Sequence, residues 1–177
     1  MIFYKTTYKI NQDIDIIFNY FLSKKYLTKT YGEKSDDKVT LVSKYDNDLI
    51  NELDELKIIT ENKDSYSEII FDKIEILKYK SIKMRMTYGV MKNKSYQFKN
   101  EEEEIDSNNI LSKILPKESI LNMKFYKSKS QYIVVSTIEI HKISFCKKIA
   151  YKIYGWTEQL YFMKINKLTI QEIESLK

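Results

Sequence analysis

Glu139 and His141 stand two residues apart in a stretch, 131–143, that alternates apolar and polar side chains, and a strand of that period sends both to one face. There a carboxylate can orient an imidazole or raise its pKa for proton transfer. The apolar members of the stretch, Tyr132, Val134, Ile138 and Ile140, occupy the other face, which places the pair in solvent. His141 is the one histidine of the chain, so any Ser-His-Asp or Cys-His site has to use it. Cys146, the one cysteine, falls near the start of a C-terminal helical pattern whose dipole favours a thiolate, although a buried or idle cysteine is the plainer reading. One cysteine and one histidine fall short of the roughly four ligands of a structural zinc site. Gly32, Gly89 and Gly155 are scattered, which excludes a P-loop and a dinucleotide fingerprint, since both gather glycines where backbone must approach phosphate.

Lys83, Arg85 and Glu139 raise a sharper possibility, because tunnel-type triphosphatases set glutamates and basic residues inside an antiparallel barrel to hold metal and phosphate. Only Glu139 has the right strand context, and the N-terminal strand carries Lys5 and Lys9 where that arrangement needs acids. The acidic run Glu101 to Glu104 reads as a solvated segment, since consecutive carboxylates point in different directions. No catalytic constellation emerges, no metal or cofactor is expected, and binding is favoured over catalysis.

The net charge is +5 and the pI about 8.9, yet Arg85 is the only arginine among the 30 basic residues. Nucleic-acid sites use arginine for bidentate phosphate and guanine contacts. Abundant Lys, Ile, Asn and Tyr, all with A/T-rich codons, point to genome composition and solubility, so nucleic acid is not the expected partner. That class would instead need Lys78, Lys80, Lys83, Lys92 and Lys94 gathered on one surface among exposed tyrosines. No run approaches the roughly 18 apolar residues of a membrane span. The opening Met-Ile-Phe-Tyr-Lys-Thr-Thr has no signal-peptide pattern, and the expectation is a cytoplasmic protein.

The elements that would position these residues follow from periodicity. Residues 2–10 alternate as a strand, with Ile2, Tyr4, Thr6, Tyr8 and Ile10 on one side. Asn11 can cap a helix whose stripe is Ile14, Ile17, Phe18, Phe21 and Leu22, and a second short helix from Lys24 stops at Gly32. Val39, Leu41 and Tyr45 begin a run of period two. Residues 49–60 are ambiguous between helix and strand, and Ile74, Ile76, Ile82, Met84, Met86, Tyr88 and Val90 share a parity. An insertion or loop is predicted over 100–119, then a hairpin with Leu121, Met123 and Phe125 on one arm, a turn at 127–130, and 131–143 on the other. A long helix over 145–166 closes the chain, with Phe145, Ile149, Ile153, Trp156, Leu160 and Met163 as its inward stripe. The expected class is α+β, a single domain over 1–177: a curved antiparallel sheet of six or seven strands gripping the C-terminal helix, with one or two short helices after the first strand.

The opening Met-Ile-Phe-Tyr-Lys-Thr-Thr-Tyr-Lys-Ile followed by Asn-Gln-Asp-Ile-Asp-Ile-Ile-Phe, together with hairpin 121–143 and helix 145–166, resembles the helix-grip fold of the START-like (SRPBCC, Bet v 1-like) superfamily. The resemblance lies in the order of elements over nearly the whole chain, without a diagnostic motif. It implies a cavity between sheet and helix that takes a lipid or other apolar small molecule, with transient membrane contact. The inward stripes would line it: Tyr4, Tyr8, Met84, Met86, Tyr88, Tyr132, Val134, Trp156, Leu160 and Met163, with methionine and aromatic surfaces adapting to the ligand and tyrosine hydroxyls orienting its head group. The same residues would also serve simply to fill a core, which leaves a structural or protein-interaction domain as the alternative.

Overall fold

The computed structural model describes residues 2–32, 38–61, 66–91, 118–140, 149 and 163–176. Strand β1 (Ile2–Ile10) leads into helices α1 (Ile14–Leu22) and α2 (Lys24–Tyr31), and then come β2 (Lys38–Ser43), β3 (Leu56–Glu61), β4 (Tyr66–Leu77), β5 (Ser81–Met91), β6 (Glu118–Ser128) and β7 (Gln131–Glu139). A C-terminal helix, α3, covers residues 163–175. The seven strands form one antiparallel sheet in the order β1-β7-β6-β5-β4-β3-β2, curled into a half-barrel. The fold class is α+β, as the periodicities predict.

Strands β1, β3, β5, β6 and β7 each bury one parity, whereas β4 changes over at a bulge where Lys73 takes a φ of 48°, so that Phe71 and Ile74 are both buried. Tyr4, Tyr8 and Ile10 of β1, Val134 and Ile138 of β7, Leu121 and Met123 of β6, Ile82, Met84 and Met86 of β5, Phe71 of β4, and Leu56 and Ile58 of β3 share the concave face. Helix α1 presses its stripe onto that face. Phe21 packs edge-on against Tyr8 at 5.2 Å and Tyr26 at 5.0 Å between ring centroids, and Phe18 meets Phe125 at 5.0 Å. Such ring pairs favour tilted and edge-on contacts and add to the apolar burial. On the convex face the charges are laddered: Arg85 pairs with Asp72 and, at 3.0 Å, with Glu118, while Lys83 pairs with Glu75 and Lys57 with Glu68.

Several local expectations shift. The cap of α1 is Asp13, which accepts from the Asp15 amide at 2.8 Å, while Asn11 gives its backbone N–H to Glu174 at 3.0 Å. The ambiguous stretch 49–60 resolves as β3 from Leu56 onward. Strand β6 starts at Glu118, so the last two residues of the expected insertion are sheet, and residues 100–117 lie outside the described residues. The β6–β7 turn is tighter than four residues, because Ser128 pairs with Gln131 and Lys129 takes a φ of 52°. Gly32 does end α2, with an ordinary φ of −107°. What requires glycine there is closeness, since a Cβ would stand 2.7 Å from Val39 Cγ1 and 2.8 Å from both Ile58 Cγ2 and the Thr28 carbonyl.

The described part of α3 turns Thr169 and Ile173 inward, both nearly inaccessible. Met163, expected on the inward stripe, is 60% exposed, and Ile149 is 55% exposed. Six residues at about 100° each put Met163 about 120° around the helix from Thr169, so the inward face runs through a different register.

Candidate functional site

Open space lies where the concave face of β2, the α1–α2 joint and the end of α3 converge. Ser23 makes the joint: it terminates α1, caps α2 by accepting from the Tyr26 amide at 3.1 Å, and donates its hydroxyl to the Tyr20 carbonyl at 2.7 Å. The loop after β2 folds back onto this joint, with the Lys24 amide donating to the Asp48 carbonyl and the Ile50 amide to the Leu22 carbonyl, both at 2.9 Å. Between them is a groove of about 710 Å³, open to solvent, with Leu41 and Ser43 from β2, Tyr20, Ser23, Lys24 and Lys25 from the helices, Lys44 to Asp48 from the loop, Glu172 from α3 and Leu176 just after it. Leu41 pairs with Ile58 and Ser43 with Leu56, so this part of β2 belongs to the concave face and the groove opens between sheet and C-terminal helix.

Helix α3 is pinned from both sides. Gln12 donates to the carbonyls of Leu176 at 2.7 Å and Ile173 at 3.4 Å, satisfying acceptors that a helix end leaves unpaired. Asn166 donates to Tyr4 Oη at 3.3 Å and to Thr6 Oγ1. At the groove wall Glu172 Oε2 accepts from Tyr20 at 2.9 Å and from Lys29 at 2.6 Å, and Lys25 stands 3.6 Å from Oε1. Burial pushes the Glu172 carboxyl up, but the bonds from Lys29 and Tyr20 and the charges of both lysines outweigh it and leave the group below its ordinary value.

Lys24 is the unusual member. Its residue is only 7% exposed, and its ammonium donates to the Tyr45 carbonyl. Lys44 lies over the Tyr45 ring at 5.3 Å, and Asp46 and Asp48 are exposed at the rim. The groove thus joins apolar walls, Leu41, Tyr20 and Leu176, to a buried positive charge.

None of the described members of the expected cavity lining borders this groove. Tyr4, Tyr8, Met84, Met86 and Val134 do come together on the concave face, but Met84, Met86 and Val134 have no surface that water could touch and the two tyrosines almost none. They are packed core. Tyr88 and Tyr132 are half-buried against the same core, and Trp156 and Leu160 lie outside the described residues. Burial raises the pKa of Tyr8 and Tyr31 well above 10.0, and that of Tyr26 to about 12. Such phenols stay neutral and offer hydrogen bonds. Of the catalytic candidates, Glu139 accepts from Thr137 at 3.4 Å, and His141 and Cys146 lie outside the described residues. Arg85 and Lys83, on the convex face, are held by acids. Among the described residues there is no cluster of histidine, cysteine and carboxylates able to hold a metal, and no helix is long and apolar enough to cross a membrane.

Sequence reasoning missed Lys24 and the groove. A lysine in the first turn of a polar helix reads as solvated, and only the fold-back of loop 44–50 buries it. The available signal was electrostatic: α2 opens with Lys24-Lys25 and no acid in its first turn, against the preference of a helix N-terminus.

No family model matches the chain, and no curated protein matches it. Solved structures do. Protein Ms6760 from Mycobacterium smegmatis aligns over 97% of this chain and 87% of its own with a TM-score of 0.52 and 11% identity. A solution structure from Staphylococcus epidermidis covers 98% and 93% with a TM-score of 0.54 and 13% identity. Protein CV1439 from Chromobacterium violaceum covers 97% of each chain with a TM-score of 0.55 and 9% identity. At such identities the likeness is one of fold, and the chain shares with these proteins a curved antiparallel sheet that is compatible with a helix-grip arrangement.

Proposed function

We propose that the protein is a non-catalytic binder or carrier of a small amphipathic molecule, held in the groove between the concave sheet face and the C-terminal helix. The observation that carries this reading is the groove itself, about 710 Å³ lined by the inward residues of β2 on one side and by Glu172 of α3 and the following Leu176 on the other. Ligand sites are typically concave, of several hundred Å³, with apolar walls and a few placed polar groups. The helix-grip order of elements and its START-like resemblance support the same class, while fold alone does not select a ligand. The ligand is more polar at one end than a cavity lined by tyrosine and methionine would require, because lysines and carboxylates border the groove. An apolar tail would lie along Leu41 and Leu176, next to the mouth through which a membrane-derived molecule could pass.

A second reading, a protein-interaction domain with a filled core, is favoured by the complete burial of Met84, Met86, Leu121 and Met123. Native mass spectrometry of protein purified from cells, followed by organic extraction, separates the two. The binder retains a stoichiometric small molecule that extraction releases and a lipid panel restores. Protein of bare mass that takes up nothing from the panel favours the filled domain.

A further inference from the structure

We infer that the molecule bound in the groove carries an anionic head group, a carboxylate or a phosphate, whose oxygens meet Lys24 Nζ. This rests on the reading of the groove as a ligand site and adds the chemistry of its occupant. Buried charges in proteins are paired, because an ammonium withdrawn from water without a counter-charge is destabilised by desolvation. Lys24 is 7% exposed and its ammonium has the Tyr45 carbonyl as acceptor. Among the described residues no carboxylate stands within ion-pair distance of it.

The acids that border the groove leave Lys24 without a counter-charge within ion-pair distance. Glu172 is taken by Lys29, Lys25 and Tyr20. Asp46 and Asp48 are exposed on the loop, where water and salt screen them. Lys24 and Lys25 also open α2, whose N-terminal end already carries partial positive charge, so two cations sit where a helix prefers anions. An anion in the groove would answer both the buried ammonium and the helix end. The apolar part of the same molecule would meet Leu41, Tyr20 and Leu176.

The test compares three probes of ten carbons each, decanoate, decyl phosphate and 1-decanol, binding to the full chain and to Lys24→Met at neutral pH and low salt. Methionine keeps an unbranched stem and removes the charge. The wild type is expected to bind at least one anionic probe about tenfold or more tighter than the alcohol, as a charge-assisted hydrogen bond in a sheltered site allows. Lys24→Met should bring all three to similar affinity, with the alcohol within about twofold of its wild-type value. The better of the two anionic probes tells carboxylate from phosphate. Equal binding of the alcohol and both anions by the wild type overturns the inference while leaving the groove as a ligand site, and it does so even if Lys24→Met fails to fold. A preference for anions that survives Lys24→Met overturns the assignment to Lys24. If no probe binds the wild type, the groove reading falls, and this inference with it.

Discussion

Replacing Glu172 by glutamine should loosen α3 from the α1–α2 joint in a way that depends on pH. The carboxylate accepts from Tyr20 at 2.9 Å and Lys29 at 2.6 Å in a site where its side chain is 25% exposed, and Lys25, 3.6 Å away and 82% exposed, adds little. Hydrogen bonds to a charged group contribute about 1.5–3 kcal/mol when sheltered. Partial exposure of both partners reduces this, and glutamine keeps one acceptor, so the expected loss is about 1 kcal/mol. For a chain of this length that is about 2–4 °C in Tm. The Glu172 carboxyl is held below its ordinary value near 4.5 in the folded protein. Because the folded pKa is lower than the unfolded one, its stabilisation is complete above about pH 4.5 and vanishes as pH falls through the folded value. Thermal unfolding of wild type and Glu172→Gln across pH should therefore show a gap at neutral pH that closes in strong acid, and hydrogen exchange should be faster in residues 163–175 of the variant at neutral pH. Equal Tm at neutral pH, or a gap that stays constant into strong acid, would refute the reasoning.

Two other outcomes follow from the packing. Gly32→Ala should destabilise by about 1–3 kcal/mol in chemical denaturation, because the new methyl group would press on Val39, Ile58 and the Thr28 carbonyl. Helix propensity alone predicts a gain of about 0.5–1 kcal/mol, so the sign decides between them. Tyrosine absorbance at alkaline pH should show Tyr8, Tyr26 and Tyr31 ionising only above pH 10, with Tyr26 near 12. Their raised pKa values mean that stability is complete below about pH 10 and is lost as pH rises through the folded values. A single titration near pH 10 that accounts for all the tyrosines without unfolding would contradict their burial.

The strands and α1 were legible because their signals are local. Ile82, Met84 and Met86 alternate with Lys83 and Arg85, and Ile17, Phe18, Phe21 and Leu22 recur at helical spacing, so each element carries its own buried face. What was not legible depends on contacts distant in sequence. Asn11 would cap α1 if only neighbours mattered, but its amide is drawn to Glu174, and Gln12 beside it closes the carbonyl end of α3. The inward register of α3 could not be extrapolated from Phe145 and Ile149, since its packing against β1 is set by Asn166 reaching Tyr4 and Thr6. Tyr4 and Tyr8 of β1 and Met84 and Met86 of β5 lie on the concave face. Whether that face is hollow or filled depends on what is laid over it, and α1 fills it with Phe18 and Phe21. The open space therefore falls at the β2 end, where short side chains, Ser23 and Ser43, meet a loop that folds back.

The most direct measurement is a backbone amide NMR titration of the full chain with decanoate and, separately, with decyl phosphate. Shifts concentrated at Tyr20 to Lys25, Leu41 to Asp48 and Glu172 to Leu176, saturating together, are what the account predicts. Shifts centred instead on Met84, Met86 and Val134, or no saturable shifts at all, would contradict it.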